Sequence, residues 1–278
     1  MLSKERQVHE AAHFAEPFLK WPGGKRWLWK IVGPLVPTNF KRYFEPFLGG
    51  GAMFFALGPK IAILSDINSE LVNAYIQVRD NTESVIARLN TLTVDRTSYQ
   101  QIRAADPKGD VARAVRFIYL SKTAFNGVYR VNRQGHFNVP FAGQLDRKLF
   151  DARILRGAAD SLRKCKLLAV EFSNPLVATK RGDFVYCDPP YTVLHDNNGF
   201  LRYNESLFSW SDQERLAELA KAAVARGAFV LVSNAHTEHV RRVYTGFRAI
   251  TVRRASCVSA RPISRGQVSE YLFVGQPV

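Results

Sequence analysis

Residues 184–191 have the sequence Phe-Val-Tyr-Cys-Asp-Pro-Pro-Tyr, in which an apolar run is followed directly by a carboxylate and two prolines. A short continuous apolar run is typical of a strand that is buried on both faces of a parallel sheet. Asp188 therefore follows a predicted buried strand. Ligand sites of open α/β sheets lie outside the carboxyl ends of the strands, so this segment predicts both the fold class and the place of the functional site.

Further short apolar runs predict the other strands of this sheet, at residues 42–44, 61–64, 167–172 and 228–232. A helix is predicted at residues 211–225, with Ser211 and Glu214 as a capping box and Gly227 after its end. Its apolar face consists of Leu216, Leu219, Ala220 and Ala223. The alternation of strands and helices predicts an α/β fold with a doubly wound, mostly parallel sheet.

Residues 81–150 lack such runs and show helical spacing instead, with Val111, Val115 and Ile118 on one face. We interpret them as an inserted, mainly helical and basic module that ends in a turn-rich hairpin at residues 124–143. The predicted domains are therefore a catalytic domain of residues 1–80 and 151–278 and an inserted domain of residues 81–150. A basic surface without a partner is the alternative interpretation of the insertion.

The composition indicates a globular protein with a polyanionic partner. The 278 residues include 39 Lys and Arg against 24 Asp and Glu, a formal net charge of +15, and 46% hydrophobic residues without a run of about 18 that could span a membrane. This charge favours a nucleic acid as partner, although charge alone also permits an acidic membrane surface or no partner. Residues 1–16 lack an apolar signal core, so we expect a cytoplasmic location.

The cysteine and histidine pattern predicts neither a disulfide nor a metal. The three cysteines, Cys165, Cys187 and Cys257, are widely spaced and form no C-x-x-C pair, which favours reduced thiols. His236 and His239 are three residues apart, but further ligands are missing nearby in the sequence. We therefore expect no metal cofactor.

The Asp188-Pro-Pro-Tyr191 segment has the groups needed for transfer to an exocyclic amine. Such an amine is a poor nucleophile because its lone pair is delocalised into the ring, and acceptors for its hydrogens favour the reactive pyramidal form. The Asp188 carboxylate and the Pro189 carbonyl can provide these acceptors. Pro189 and Pro190 lack N–H donors and restrict φ, and Tyr191 offers a ring on which a flipped base can stack. An ordinary turn after a strand is the structural alternative.

Three more segments fit a nucleoside cofactor. Residues 45–51, Glu-Pro-Phe-Leu-Gly-Gly-Gly, place a glycine turn after a predicted strand, where a ligand can approach the backbone closely. Asp66 follows the next strand, where a carboxylate can bind both ribose hydroxyls, although Asp66 could equally cap the helix predicted at residues 68–78. In residues 18–25, Phe-Leu-Lys-Trp-Pro-Gly-Gly-Lys, Trp21 could pack on an adenine or sulfonium and Lys25 could meet a carboxylate. A Pro-Gly-Gly turn between surface lysines would explain the same residues.

Taken together and in this order, these segments resemble the Dam-like (D12 class, alpha group) family of site-specific DNA adenine methyltransferases. The resemblance also includes residues 65–70, 124–130 and 135–141, and so covers nearly the whole chain. It implies a Rossmann-like methyltransferase domain with an inserted target-recognition domain, S-adenosylmethionine as cofactor, and methylation of adenine N6 in double-stranded DNA by base flipping. A monomer or homodimer is expected, and a cognate restriction endonuclease is a further possible partner.

The resemblance also assigns roles to individual residues. Those implied to line the cofactor pocket are Trp21, Lys25, Glu45, Pro46, Phe47, Gly49, Asp66 and Asp188. Those implied to be catalytic are Asp188, Pro189, Pro190 and Tyr191. Those implied to contact DNA are Lys20, Phe125, Asn126, Val128, Arg130 and Pro140, together with Arg253 and Arg254 in a basic loop at residues 251–266. Residues 197–208 resemble a loop that orders over the flipped base.

The chain departs from the Dam pattern at residues 142–146, Ala-Gly-Gln-Leu-Asp, where a basic run with a tyrosine is expected. The family's GATC target is therefore not carried over to this chain. Other substrates remain as alternatives, namely cytosine N4, RNA adenine or a protein amide, because enzymes acting on them use a similar acceptor-Pro-Pro-aromatic segment. A catalytically silent DNA-binding regulator on the same fold is an alternative of a different class.

Overall fold

The computed structural model describes residues 16–132, 134–143, 148–191, 208–255 and 267–277. Its strands are β1 (Tyr43–Glu45), β2 (Ala62–Asp66), β3 (Cys165–Ala169), β4 (Phe184–Cys187), β5 (Phe229–Ala235), β6 (Arg248–Ala255) and β7 (Gln267–Gly275). Its helices are α1 (Trp29–Val32), α2 (Ala52–Leu57), α3 (Ser69–Asp80), α4 (Thr82–Asn90), α5 (Arg96–Ala104), α6 (Asp110–Thr123), α7 (Ala152–Leu162), α8 (Ser173–Val177), α9 (Trp210–Ala225) and α10 (Glu238–Val243).

The strands form a seven-stranded sheet in the order β3-β2-β1-β4-β5-β7-β6. β1 pairs in parallel with both β2 and β4, and β4 pairs in parallel with β5. β7 is antiparallel to β5 and to β6. The predicted doubly wound, mostly parallel α/β fold is confirmed. Since β2 lies on one side of β1 and β4 on the other, the strand order reverses between β1 and β4, which is the position where such sheets bind ligands.

The chain divides into two compact units. Unit 1 consists of residues 1–35, 49–60 and 68–169, and unit 2 of residues 36–48, 61–67 and 170–278. The core of unit 2 lies between β1, β4, β5 and β7 and the helices α8, α9 and α10, and includes Phe44, Val185, Leu216, Val232 and Phe273. These strands can be continuous apolar runs because they are buried within the sheet.

The helices of segment 81–150 belong to unit 1. Helix α6 is buried around most of its circumference, because Val115, Phe117, Tyr119 and Leu120 all lie below 9% exposure and cannot share one face. This is more burial than the predicted stripe of Val111, Val115 and Ile118 requires, and it is typical of a helix at the centre of a helical unit.

Sequence patterns placed the N-cap of helix α9 two residues too late. The N-cap is Ser209 and not Ser211, since the Ser209 side chain accepts from the Asp212 N–H and the Asp212 carboxylate accepts from the Ser209 N–H. Both Ser-x-x-acid pairs occur in the sequence, and the pair two residues earlier forms the capping box. Gly227, with φ of +91°, follows the helix end as predicted.

The structure differs from three other local expectations. Asn68, not Asp66, caps helix α3, because its side chain accepts from the Glu70 and Leu71 N–H groups. β3 ends at Ala169, whereas the predicted strand extended to residue 172. Residues 251–255 belong to strand β6 and not to a basic loop. In β6, Val252 is buried and Arg253 is exposed, an alternation that fits an outer strand of the sheet.

Cys165 and Cys187 are free and buried, as expected for reduced thiols, and Cys257 lies outside the described residues. Among the residues described, no helix is long and apolar enough to cross a membrane. Within the same residues, His, Cys, Asp and Glu side chains form no cluster of three or more that could hold a metal ion.

Candidate active site and nucleic-acid interface

In unit 2, three predicted site carboxylates follow or end adjacent parallel strands. Glu45 ends β1, Asp66 ends β2 and Asp188 follows β4. The registers pair Glu45 with Leu64 and Phe44 with Val185, so all three carboxylates lie at the carboxyl edge of the sheet. Glu45 and Asp188 lie on either side of the position where the strand order reverses. The structure therefore brings the predicted catalytic and cofactor residues of this unit to one edge.

The loops after β1 and β2 are tied together at this edge. The Leu48 N–H donates to the Ser65 carbonyl at 2.9 Å. The Glu45 side chain is 3% exposed, and its Oε2 accepts from the Tyr43 hydroxyl at 2.8 Å. Burial and the Glu45 charge raise the pKa of Tyr43 well above its usual value, so this hydroxyl keeps its proton and remains a donor. Glu45 is thereby held in one orientation.

Pro46 and Phe47 continue from Glu45 into an apolar environment. Pro46 is buried. The Phe47 ring stacks on Phe172 at a centroid distance of 5.3 Å and meets Phe208 edge-on at 5.6 Å. Phe208 is the part of the predicted loop 197–208 that the structure describes, and the remainder lies outside the described residues. This aromatic cluster holds the backbone that follows Glu45.

The Asp188-Pro-Pro-Tyr191 segment is held by hydrogen bonds to β5 and β7. Asp188 Oδ1 accepts from the Ser233 hydroxyl at 2.6 Å, and the Tyr191 hydroxyl donates to Glu270 Oε2 at 2.8 Å. Pro189 is buried, whereas Asp188, Pro190 and Tyr191 are half-buried. Burial, together with the nearby Asp188 and Glu270 charges, raises the pKa of Tyr191, which therefore stays a neutral phenol. The two side chains at the ends of the segment are thus fixed while remaining partly accessible.

Ser233 and Glu270 were not predicted as site residues. Both are buried polar residues, at 1% and 2% exposure, beside apolar runs of strands. A polar residue at the end of such a run is the signal that could have identified them. Their neighbours, however, depend on the pairing of β5 with β7, which aligns Ala235 with Glu270.

In unit 1, the glycine turn lies against Trp21. Gly49 has φ of +46°, and a Cβ at this position would lie 2.9 Å from Trp21 Cδ1. The Trp21 ring also stacks near Phe117 and Tyr129, at centroid distances of 6.0 and 6.3 Å. Lys25 is 7% exposed. The glycine is therefore required both by backbone conformation and by the close approach of an aromatic ring.

The segment that follows α6 is folded back on itself. Antiparallel bridges join Ala124 to Phe141 and Val131 to Phe137. Tyr99 of α5 anchors this hairpin (residues 124–142) by donating its hydroxyl hydrogen to the Val139 carbonyl at 2.9 Å. Tyr99, Phe137 and Val139 belong to one buried cluster, against which Val128 also packs.

The predicted DNA-contacting residues of the hairpin are accessible, except that Val128 is half-buried. Phe125 is 55% exposed although it is aromatic, and Asn126 adopts φ of +55°, a conformation unusual for a residue other than glycine. Arg130 is exposed and its Nε donates to Asn138 Oδ1 at 2.8 Å. Pro140 is exposed as well. An exposed aromatic ring beside a residue in a rare backbone conformation is typical of a functional loop.

Three lysines line a pocket of about 380 Å³ next to the hairpin, namely Lys20, Lys122 and Lys148. Lys20 packs against the hairpin, since a Cβ on Gly127 would lie 2.7 Å from Lys20 Cγ. Burial and the neighbouring Lys20 charge lower the pKa of Lys122. Among the described residues the lining includes no carboxylate. This lysine pocket therefore suits an anion. Lys122 is a candidate site residue that the sequence analysis treated only as part of a basic surface.

Arg253 lies on strand β6 and its side chain is exposed. The side chain of Arg254 lies outside the described residues, as do residues 256–266 of the predicted loop. The placement of these residues in a DNA-contacting loop is thus wrong for residues 251–255, while their contact with DNA stays a prediction.

Residues 21–256 match the model of the D12 class N6 adenine-specific DNA methyltransferase family. The chain is 35% identical to the type II methyltransferase M1.LlaDCHI of Lactococcus lactis subsp. cremoris over 266 residues, covering 92% of this chain and 94% of that protein. It is 31% identical to the DNA adenine methylase of Vibrio cholerae serotype O1, covering 94% and 96%.

A third relative is longer than this chain. The DNA N-6-adenine-methyltransferase of Escherichia phage P1 is 32% identical over 98% of this chain, which spans 37% of that protein. The family model covers most of the sequence and includes the glycine turn, the hairpin and the Asp188-Pro-Pro-Tyr191 segment. The chain belongs to the D12 class of N6 adenine-specific DNA methyltransferases.

Proposed function

We propose that this methyltransferase uses Asp188 and the Pro189 carbonyl to accept hydrogen bonds from the N6 amino group of an adenine flipped out of double-stranded DNA. The observation that supports this most strongly is the position of Asp188, at the carboxyl end of β4 beside the reversal of strand order, with its carboxylate held by Ser233. The half-buried Tyr191 ring supplies a stacking surface for the base.

These acceptors act on the nucleophile itself. Hydrogen bonds to the N6 hydrogens draw the nitrogen toward a pyramidal geometry and localise its lone pair. Asp188 also stabilises the positive charge that develops on N6 as it is alkylated. The proton is lost afterwards to solvent. No general base with a shifted pKa is needed, because positioning of the reactants supplies most of the rate enhancement.

The residues of unit 2 fit S-adenosylmethionine, which supplies an electrophilic methyl group on a sulfonium. The cofactor carries cationic groups and a ribose diol, for which the carboxylates Glu45 and Asp66 are suitable partners. The Oγ of Ser65, directly before Asp66, is buried and has no hydrogen-bond partner among the described residues. An orphaned polar atom at this edge supports a polar ligand there. We assign Glu45, Pro46, Phe47, Asp66 and Asp188 to its binding.

Trp21, Lys25 and Gly49 belong to unit 1, and their part in cofactor binding stays a prediction. The contact of Gly49 with Trp21 supports a role for the glycine turn beyond that of a simple turn.

In unit 1, we assign the hairpin and the lysine pocket to DNA. The exposed Phe125 and Asn126 would fill the space left by the flipped base, and Arg130 would contact a guanine edge. Val128, Pro140 and Lys20 would contact the adjoining bases. Lys122 and Lys148 would meet a backbone phosphate, because a phosphate in the lysine pocket would offset the repulsion between its lysines. Segment 81–150 would then serve target recognition.

We further propose a cytoplasmic location beside bacterial or phage DNA, a monomer or homodimer, and a cognate restriction endonuclease. The name of the Lactococcus relative, a type II methyltransferase, supports the last of these.

The test of the proposed mechanism is the Asp188→Ala variant, assayed for transfer of labelled methyl groups from S-adenosylmethionine to duplex DNA. We expect transfer to fall by at least about 100-fold, since one preorganised group at the reacting centre is typically worth this much. DNA affinity, measured by fluorescence anisotropy, should stay within about threefold of wild type.

The matched control is Asp160→Ala, which removes an exposed carboxylate paired with Arg163 outside segment 81–150. It should leave both measurements unchanged. An Asp188→Ala protein that retains transfer would contradict the catalytic role of Asp188.

A further inference from the structure

We propose that Ser233 and Tyr186 are positioning residues that orient the Asp188 carboxylate through a directed chain of hydrogen bonds, an inference that rests on the proposed function of Asp188. Ser233 lies in β5 and Tyr186 in β4, and both are at 1% exposure. In this role, neither the Ser233 side chain nor the Tyr186 side chain touches the substrate.

The distances define the chain of contacts. Ser233 Oγ lies 2.6 Å from Asp188 Oδ1, a short distance typical of a hydroxyl that donates to a carboxylate. Ser233 Oγ also lies 3.2 Å from the Tyr186 hydroxyl. A longer contact of 3.5 Å joins Ser233 Oγ to the Cys187 carbonyl.

The direction of the chain follows from the numbers of donors. An ionised carboxylate only accepts, so the Ser233 hydroxyl must donate to Asp188. A serine has a single O–H hydrogen, so the Ser233–Tyr186 contact requires Tyr186 to be the donor. The chain of hydrogen bonds therefore runs from Tyr186 to Ser233 to Asp188. Donation from Tyr186 polarises the serine hydroxyl and strengthens its bond to the carboxylate.

The surroundings keep Tyr186 in its donor form. Burial is the main cause that raises the pKa of the Tyr186 phenol well above its usual value, and the Asp188 charge adds to it. The tyrosine thus remains protonated over the whole pH range in which a DNA methyltransferase is assayed. Tyr186 therefore remains a donor to Ser233 under assay conditions.

The consequence for the reaction is geometric. Asp188 is half-buried and directly follows the end of β4, so its carboxylate could rotate if neither oxygen were held. The bond from Ser233 fixes Oδ1 and therefore the plane in which the carboxylate accepts hydrogens from an amino group. A small misplacement of such an acceptor can reduce a rate by as much as about 100-fold.

The experiment measures single-turnover methyl transfer together with the dissociation constants of S-adenosylmethionine and of duplex DNA. For Ser233→Ala we expect a transfer rate about 10 to 100-fold lower, with both dissociation constants within about twofold of wild type. Ser233→Thr keeps the hydroxyl and should recover most of the rate. Ser161→Ala, which removes a hydroxyl bonded to the Gly157 carbonyl in α7, is the matched control and should behave as wild type.

Tyr186→Phe distinguishes the chain from two independent contacts. We expect it to lower the rate less than Ser233→Ala does. The double variant, Ser233→Ala with Tyr186→Phe, should be no slower than Ser233→Ala, because the tyrosine acts through the serine. Independent effects would instead multiply, and would overturn the directed chain.

The outcomes separate this inference from the proposed function. If the wild type is active and the Ser233→Ala variant is equally active, this inference is overturned but the proposed function is not. A loss of rate that is matched by weaker cofactor or DNA binding would also overturn it, because it would indicate a general structural role. A wild-type protein that transfers no methyl group to DNA would overturn the proposed function and this inference with it.

Discussion

At the scale of single residues, the candidate site depends on buried polar groups that hold the reactive ones. Glu45 is held by Tyr43, Asp188 by Ser233, and Tyr191 by Glu270. In each pair a buried hydroxyl or carboxylate fixes a group at the carboxyl edge of the sheet. The residues of the Asp188-Pro-Pro-Tyr191 segment could be predicted from the sequence because they are contiguous. Ser233 and Glu270 could not, since their contacts join positions that are 45 and 79 residues apart.

Gly49 provides a test of the contact with Trp21. We expect Gly49→Ala to lower the free energy of unfolding by about 1–2 kcal/mol for the left-handed backbone and by about 1–3 kcal/mol more for the clash with the ring. Gly58→Ala is the control, because Gly58 has a similar φ of +59° but open space around its Cβ position. Urea denaturation measures the free energy of unfolding of both variants.

The same clash should be relieved by a second change. Adding Trp21→Ala to Gly49→Ala should cost less than the sum of the two single substitutions, because the truncated side chain makes room for the new methyl group. Equal losses for Gly49→Ala and Gly58→Ala would show that the ring does not constrain the turn.

At the scale of elements, the sequence predicted the parallel strands well and the antiparallel ones poorly. β1, β2, β4 and β5 are short apolar runs buried in the sheet, and their predicted positions agree with the structure to within a few residues. β6 was missed because its exposed positions include arginines, which suggested a basic loop. β7 was missed although its apolar run Tyr271-Leu-Phe-Val274 is a pattern of the same kind as those that predicted the parallel strands.

Helix α9 offers a test of its observed start. Ser209→Ala removes the side chain that accepts from Asp212 N–H, and should lower the free energy of unfolding by about 1 kcal/mol. Ser211→Ala is the matched control within the same turn. It should change stability by less than about 0.5 kcal/mol, because the Ser211 hydroxyl contacts that of Ser209 and does not cap the helix. Thermal or urea denaturation measures both losses. A larger loss of stability for Ser211→Ala than for Ser209→Ala would indicate that Ser211 is the N-cap, as predicted from the sequence.

The lysine pocket predicts how DNA affinity depends on pH. Lys122 has a pKa below the usual 10.5 because of its burial and the Lys20 charge, and Lys148 also lines the pocket. A bound phosphate favours the charged form of Lys122. Raising the pH through this lowered pKa should therefore weaken DNA binding before ordinary lysines titrate. Fluorescence anisotropy at constant ionic strength measures the effect.

Lys122→Arg is the control for this pH dependence, since an arginine stays charged throughout the range. The variant should bind DNA with an affinity that is flat over the same pH interval. An identical pH profile for wild type and Lys122→Arg would place the phosphate elsewhere.

At the scale of the whole molecule, the charge fits a nucleic-acid substrate and the fold fits a bound cofactor. The net charge of +15 indicated a polyanionic partner, and the doubly wound sheet provides a ligand site where its strand order reverses. Neither the charge nor the fold identifies the substrate without the sequence motifs. The family match over residues 21–256 connects the two observations, because it includes the glycine turn, the hairpin and the Asp188-Pro-Pro-Tyr191 segment, to which we assign cofactor, recognition and catalytic roles.

The target sequence within DNA could not be predicted from the chain. It depends on which hairpin side chains meet which base edges, and residues 142–146 differ from the Dam pattern at a position next to the hairpin. The structure places Phe125, Asn126 and Arg130 on an exposed hairpin, but the choice of bases is set by contacts formed only in the complex.

The central claim is tested most directly by the identity of the methylated base. The purified chain would be incubated with S-adenosylmethionine labelled in the methyl group and unmethylated duplex genomic DNA. The DNA would then be digested to nucleosides and analysed by mass spectrometry. We predict labelled N6-methyladenine, which should be absent with Asp188→Ala. Labelled N4-methylcytosine in its place, or no labelled nucleoside at all, would contradict the account.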